Sequence, residues 1–287
     1  MAEPTLGSGF GKPVLPGRSR SPAVLPQARS NIGTDAAMQT IHAAHDTQSE
    51  APPPSGAASL NLAELAALLK IGLEDVGVER GASFTLRRVQ QGMALYRAGD
   101  PFGPIYAIRS GTFKSVLLDA NGSYQVLGFP MAGDVLGLDG IEAQHYRTEA
   151  AALEDSEVAI IPFPRLAHLG GKAGALQQFV YRLLSRQLAR EHMQMWLIGS
   201  LGAESRVAAF LLILGERYAR LGYSDTRFNL RMTRLDLGSF LGLTQETVSR
   251  ALSKFADAGV IQVHNKELKI TDVDRLHQIV ADARHSG

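Results

Sequence analysis

Near residue 173 the hydrophobic period of the chain changes, and no other feature limits the fold as much. Before that point, between Ser83 and Pro162, short β-rich runs alternate with glycine-containing turns: Phe84 to Val89, Ile105 to Ile108, Phe113 to Leu118, Tyr124 to Phe129 and Val158 to Ile161. Asn121-Gly122 is the strongest hairpin signal, because both central positions of a type I′ turn need positive φ. Gly99-Asp100, Ser110-Gly111 and Gly133-Asp134 mark other corners, and their regular spacing predicts an all-β barrel or jelly roll. Beyond it, from Gly174 to Ser200, Leu176, Val180, Leu183, Leu184, Leu188, Met195 and Ile198 recur at helical intervals, which predicts one long helix. With Phe179, Met193 and Trp196 beside it, that stripe is longer than a small barrel can cover. The expected dimer contacts are Leu176, Val180, Leu184, Leu188 and Met195; packing on the chain's own β-domain is the alternative.

A second helix is expected over Ala203 to Leu221, with Val207, Phe210, Leu211 and Leu214 on one face, followed by a polar stretch from Gly222 to Asn229. Thr233 with Asp236 three residues later has the form of a helix N-cap, Gly242 that of a helix stop, and Thr244 opens the next helix. Helix, glycine turn and helix is helix-turn-helix spacing. In the second of these helices Val248, Leu252 and Phe255 form the buried side, which leaves Gln245, Glu246, Ser249, Arg250 and Ser253 opposite. These side chains suit base edges in a major groove: Arg donates twice to guanine, Glu accepts from cytosine, and Ser does either. Gly259 closes the helix, and Val260 to Val263 with Glu267 to Thr271 then predict a hairpin wing, turning at His264-Asn265-Lys266. Thr244 is counted with the DNA-binding residues, and Lys266 and Lys269 are placed to meet phosphate. A solvated amphipathic helix within a bundle is the alternative. Charge does not choose, since residues 225 to 275 carry eight basic and seven acidic side chains and the whole chain has a net charge of only +1.

The ends and the hydropathy fill in the organisation. Eight of the 13 prolines fall in residues 1–59 with Phe10 the one aromatic, the composition of a disordered tail, and its balanced charges do not make a DNA arm. Leu62, Leu65, Leu68 and Leu69 predict a short amphipathic helix from Leu60 to Val76. The longest compact apolar run, Ala208 to Leu214, is far below the ~18 residues of a spanning helix, and nothing reads as a signal peptide, so a cytoplasmic address without membrane contact is expected. The expected division is a tail at 1–59, a β-domain at 60–173, a dimer helix at 174–200 and a DNA-binding module at 201–287.

Gln245-Glu246-Thr247-Val248-Ser249-Arg250, the wing, the long helix and the β-roll turns together resemble the Crp/Fnr superfamily of bacterial transcription regulators. Leu95 to Asp100, Tyr106 to Thr112, Ala132-Gly133-Asp134 and Met232 to Asp236 are similar to its Fnr branch, and the resemblance spans about Leu62 to Asp274. It implies an α+β chain: a double-stranded β-helix (jelly-roll) domain like those that bind cyclic nucleotides, a dimerisation helix, and a winged helix-turn-helix. It further implies a homodimer on palindromic double-stranded DNA, with half-sites about 34 Å apart and RNA polymerase as a partner. Glu246, Ser249 and Arg250 match the Fnr-type reading of TTGAT half-sites, and Gln245 and Ser249 depart from the branch that reads TGTGA. Ser123, beside the Asn121-Gly122 tip, stands where activators of the family often carry an acid for contact with polymerase.

Sensing is where the chain departs from its relatives. Cyclic-nucleotide binders use a Gly-Glu-Leu turn and a later Arg-Ser or Arg-Thr pair, whereas this chain has Gly137-Leu138-Asp139 and Arg147-Thr148. Fnr itself holds an iron-sulfur cluster with cysteines; this chain has 0 cysteines, and Ala159 stands at the internal ligand position. His145 and His168 are lone histidines near the sensory domain, His42 and His45 lie in the tail, and neither set makes a haem or metal motif. No cofactor is therefore expected, and the regulator acts either without an effector or with a small molecule that the residues do not name. The competing class is an effector-dependent regulatory module, small-molecule or haem-binding, that acts on a protein partner. An enzyme is not expected, for the chain has no nucleophile elbow, metal-ligand cluster or supported phosphate loop.

Overall fold

The computed structural model describes residues 58–70, 83–118, 124–163 and 173–285, with side chains omitted at 173–179 and 284–285. Its elements in chain order are β1 (Ser59–Asn61), α1 (Leu62–Leu68), β2 (Ser83–Val89), β3 (Ala94–Tyr96), β4 (Pro104–Ser110), β5 (Phe113–Leu118), β6 (Tyr124–Gly128), β7 (Val135–Leu136), α2 (Gly140–Ala143), β8 (Glu149–Ala152) and β9 (Ser156–Pro162). There follow α3 (Ala173–Ser200), α4 (Ala203–Arg220), β10 (Arg227–Asn229), α5 (Arg234–Leu241), α6 (Gln245–Asp257), β11 (Ile261–His264), β12 (Glu267–Ile270) and α7 (Val273–His285). The proline-rich segment up to residue 57, the Asn121-Gly122 turn with Ser123, His168 and the Leu176 side chain lie outside the described residues.

Two antiparallel sheets build the roll, one ordered β1-β2-β9-β4-β7 and the other β3-β8-β5-β6. Because successive side chains of a strand point to opposite faces, β4 and β9 each feed two cores. Tyr106, Ile108 and Val158 meet Phe113, Tyr146 and Ala150 between the sheets. Ile105, Ala107, Ala159 and Ile161 point the other way, onto Leu65 of α1, Leu69 at its C-cap and Leu183 of α3. A strand covered on both faces reads as a nearly continuous apolar run, as Val158 to Ile161 does.

The strands expected in the roll are all present, and among the described residues four further strands join them there. β3 and β8 pair with each other, β7 pairs with β4, and Leu60 pairs with Phe84 in β1. Leu60 therefore does not begin the first helix. Asn61 does, as an N-cap that accepts from Glu64 N at 2.9 Å while Glu64 accepts from Asn61 N at 2.8 Å. The long helix runs as predicted, but its apolar residues divide. Leu183 and Leu197 are buried and Val180 packs onto the roll, whereas Tyr181, Leu184, Leu188 and Met195 are exposed, Met195 at 68%.

The C-terminal part packs α4 to α7 around a third core with Val207, Leu211, Leu237, Leu241, Val248, Leu252, Phe255 and Leu276. Its sheet is ordered β10-β12-β11, so the polar stretch from Gly222 to Asn229 supplies a strand at its end, with Phe228 facing Leu268. The wing turn is shorter than expected: His264 pairs with Glu267, which leaves Asn265 at φ 55° and Lys266 between the strands. Val116, Val126, Phe129 and Met131 of the roll belong to this third core as well, so the roll and the winged helix share buried side chains.

Candidate nucleic-acid interface

Local sequence sets each end of the two-helix unit. Thr233 caps α5 by accepting from Asp236 N at 3.0 Å, and Asp236 answers by accepting from Thr233 N at 3.1 Å and from Thr233 Oγ1 at 2.7 Å. Gly242 ends α5 at φ 64° in the left-handed region, where a residue with Cβ is strained. Leu243 N then donates to the Gly238 carbonyl at 2.9 Å, and Thr244 caps α6 by accepting from Thr247 N at 3.2 Å. At the far end Val260 N reaches the Phe255 carbonyl and Gly259 N the Ala256 carbonyl, both at 2.9 Å, a Schellman closure.

The buried side of α6 is Val248, Ala251, Leu252 and Phe255. Thr244, Gln245, Glu246, Arg250 and Ser253 are exposed and Ser249 is half-buried, so the residues expected on the opposite face stand together there. Ser249 Oγ donates to the Gln245 carbonyl at 2.9 Å, and Arg250 leans on Thr247 Oγ1 at 3.4 Å. Lys254, a turn further on, is tied back to Glu204 at 2.7 Å and faces its own chain. Lys266 and Lys269 are exposed on the wing. Arg227 pairs with Glu267 beside them and holds that carboxyl below the usual carboxylate range. Arg234, in the first turn of α5, is half-buried, and burial alone lowers its guanidinium. An open groove of about 540 Å³ runs from Tyr124 and Gln125 of β6 past Leu235 and Ser239 to Thr244, Gln245 and Glu246.

Long-range polar contacts join the C-terminal part and α3 to the roll, and no local pattern reveals them because the partners lie more than fifty residues apart. Lys114 meets Asp236 at 2.7 Å, Arg231 meets Glu154 at 3.1 Å, and Asp134 takes Arg190 of α3 on one oxygen and Arg217 of α4 on the other. Burial lowers the Arg217 guanidinium, and the charge of Asp134 works against that fall.

The interior of the roll is filled by its own side chains. Tyr96 stacks on Tyr146 at 4.1 Å and on Tyr106 at 5.9 Å, and burial raises the phenols of Tyr96 and Tyr146 well above their ordinary value. Asp139 Oδ2 accepts from Arg147 N at 3.0 Å, Thr148 N at 2.8 Å and Thr148 Oγ1 at 2.9 Å, and the Arg147 guanidinium is paired with Glu142 at 2.5 Å. Ala159 is fully buried in β9. Among the described residues no group of three His, Cys, Asp or Glu is placed to hold a metal ion, and no helix is long and apolar enough to cross a membrane.

Two family models match the chain, the Crp-like helix-turn-helix domain over residues 205–279 and the cyclic nucleotide-binding domain over residues 86–170. The transcriptional regulatory protein btr of Bordetella pertussis is 42% identical over 193 residues, covering 67% of this chain and 80% of that protein. The fumarate and nitrate reduction regulatory protein of Escherichia coli is 41% identical over 197 residues, or 69% and 79% of the two chains. Among solved structures, FixK2 from Bradyrhizobium japonicum superposes with a TM-score of 0.62 at 28% identity, covering 68% of this chain and 96% of that one. Regulators of this kind bind DNA as dimers and are not enzymes. A β-roll joined through a long helix to a winged helix-turn-helix, with relatives of this identity and coverage, means that the chain belongs to the Crp/Fnr superfamily of transcriptional regulators.

Proposed function

We propose that this regulator reads TTGAT-like palindromes as a homodimer in the cytoplasm, without an iron-sulfur cluster and without cyclic nucleotide. The observation that carries the reading is the two-sided α6: a buried apolar face holds it in the helix-turn-helix, and Gln245, Glu246, Arg250 and Ser253 stand exposed opposite. Arg250 is the guanine donor, Glu246 the cytosine acceptor, and Gln245, Ser249 and Ser253 complete the base-edge contacts. Thr244 at the N-cap and Lys266 on the wing contact phosphate. Residues 201–287 are the DNA-binding part, 60–173 the sensory roll and 174–200 the dimerisation helix. The outward Leu184, Leu188 and Met195 of α3 form the seam together with Leu176, and Val180 supports it from the roll side. RNA polymerase is the partner that a promoter-bound regulator of this family meets.

What supports leaving cyclic nucleotide out of the reading is the hydrogen bonding at Arg147-Thr148. An anion would need the N–H groups of Arg147 and Thr148 and the Thr148 hydroxyl, and the Asp139 carboxylate already accepts from all three. With 0 cysteines the chain supplies no thiolate for a cluster. Fluorescence anisotropy in air and at fixed salt, without added ligand, tests the reading on duplex TTGAT-N4-ATCAA and on the same duplex with both guanines changed. The expected result is tight binding that weakens by more than about tenfold on the changed site. Equal affinity for the two duplexes would refute it.

A further inference from the structure

The free edge of the smaller roll sheet is where the DNA-reading unit is attached. In the order β3-β8-β5-β6, β6 has a strand neighbour on one side only, and an edge strand needs other partners for its outward N–H and C=O groups. α5 provides them. Val126 N donates to Ser239 Oγ at 2.9 Å, the Gln125 amide donates to the Ser239 carbonyl, and Lys114 on the adjoining β5 reaches Asp236 Oδ1 at 2.7 Å. The ion pair is shielded, with side-chain exposures of 26% for Lys114 and 4% for Asp236. The second oxygen of Asp236 belongs to Thr233, so a single carboxylate joins the roll to the cap of α5. In turn α5 is locked to α6, because a Cβ on Gly238 would lie 2.7 Å from the Leu243 carbonyl oxygen. Whatever orients α5 therefore orients α6.

We infer that Lys114 is a positioning residue for DNA recognition: through Asp236 it fixes the direction in which the reading helix leaves the roll, and with it the separation of the two reading helices in the dimer. This rests on the DNA reading proposed above. The contact holds the reading head without covering it, since Gln245, Glu246 and Arg250 remain exposed. Removing Lys114 leaves Thr233 and Asp236 to cap α5, so the helix survives; the ion pair to the roll is lost, and the Ser239 contacts are left to hold α5 alone.

Lys114→Gln and Lys114→Arg test this on palindromes with spacers of three, four and five base pairs, and on a single half-site. Lys114→Gln is expected to keep half-site affinity within about twofold while its preference for the best spacer falls by about tenfold; Lys114→Arg keeps both. Amide exchange at Val126 without DNA reads the tie itself, and is expected to quicken by about tenfold or more in Lys114→Gln alone. An unchanged spacer preference, or unchanged Val126 exchange, overturns the inference. So does an equal loss on half-site and palindrome, which is what damage to α5 would give. Wild-type protein that binds none of the duplexes would refute the DNA reading, and Val126 exchange would then still decide whether Lys114 holds α5.

Discussion

Gly238→Ala probes the closest approach inside the reading unit. A Cβ at residue 238 would meet the Leu243 carbonyl oxygen at 2.7 Å and the Gln245 nitrogen at 3.3 Å, both backbone atoms of the turn between α5 and α6. Carbon–oxygen contacts settle near ~3.3–3.6 Å, so the turn would have to retreat by roughly 0.6 Å. It cannot do so freely, because Leu243 N is bonded to the Gly238 carbonyl and Leu241 is buried against the core. Overpacking of this kind costs about 1–3 kcal/mol, and replacing glycine inside a helix recovers ~0.5–1 kcal/mol. The net loss is about 0–2.5 kcal/mol with a middle value near 1 kcal/mol, which at ~2–4 °C per kcal/mol for a domain of roughly 150–250 residues lowers the melting temperature by about 2–4 °C at that middle value and by up to about 10 °C at the top of the range. Gly199→Ala near the end of α3 is the control: a Cβ there meets nothing within 4 Å, so the same exchange is expected to stabilise by ~0.5–1 kcal/mol. Thermal melting followed by circular dichroism measures both, and anisotropy on the palindrome is expected to show weaker binding for Gly238→Ala alone. If Gly238→Ala melts at or above the wild type, the close approach is not what requires glycine, and the account of the turn is wrong.

Arg250→Ala is expected to lose about 1–3 kcal/mol of discrimination at one guanine, whereas Lys266→Ala weakens all sequences alike and reduces the salt slope by about 1; titrations on matched and changed duplexes at several salt concentrations separate the two. Burial alone would raise the Asp236 carboxyl and is the largest influence on it, but hydrogen bonds from Lys114 and Thr233 and the Lys114 charge together hold it below its ordinary 3.8. A depressed folded pKa gives stability that is present above the unfolded value and is lost as pH falls through the folded one, so urea midpoints are expected to drop in acid below about pH 4, and less so in Asp236→Asn. Asp134→Asn leaves Arg190 and Arg217 without their shared carboxylate and is expected to cost ~1.5–3 kcal/mol in urea denaturation. Arg217→Met in that background is expected to recover part of the loss, because it removes the more buried uncompensated charge.

What the sequence disclosed was what short segments decide for themselves. Thr233, Asp236, Gly242 and Thr244 act within three or four residues of one another, so the ends of α5 and α6 could be placed by reading along the chain. β4, β5 and β9 announced themselves through branched and aromatic runs. β8 could not, because Glu149-Ala150-Ala151-Ala152 has the composition of a helix; it is a strand because its backbone pairs with β3 and β5, with Ala150 and Ala152 buried in the cluster that holds the stacked tyrosines. β10 was hidden for another reason: with Phe228 its one buried residue, three residues show no alternation to read. The stripe on α3 was visible as one pattern, but periodicity does not say which neighbour covers which side. Leu183 and Leu197 turned inward while Leu184, Leu188 and Met195 stayed outward.

That division of α3 bears on how the proposed dimer seam relates to the DNA-binding unit. The inward side of α3 is tied down by its own chain: Arg186 donates to the Leu69 and Lys70 carbonyls, and Arg190 holds Asp134. Between α3 and α4 the chain passes Leu201 and Gly202; Leu201 is buried and its carbonyl accepts from Arg206 at 2.8 Å, so the elbow is held locally against bending. Asp134 opposes bending as well, since its two oxygens hold one arginine from each helix. A bend at Gly202 would have to break one of those pairs and expose or strand a charge in a partly buried site, which costs more than an exposed ion pair would. Asp134 on the roll therefore helps to hold the proposed seam on α3 and the helix-turn-helix beyond α4 in one geometry, together with Arg206, which bonds the Leu201 carbonyl at the elbow, and the buried Leu197 and Leu201. For a palindrome read by two such chains, spacing follows from how rigidly each chain holds its own elbow as much as from the side chains that touch bases.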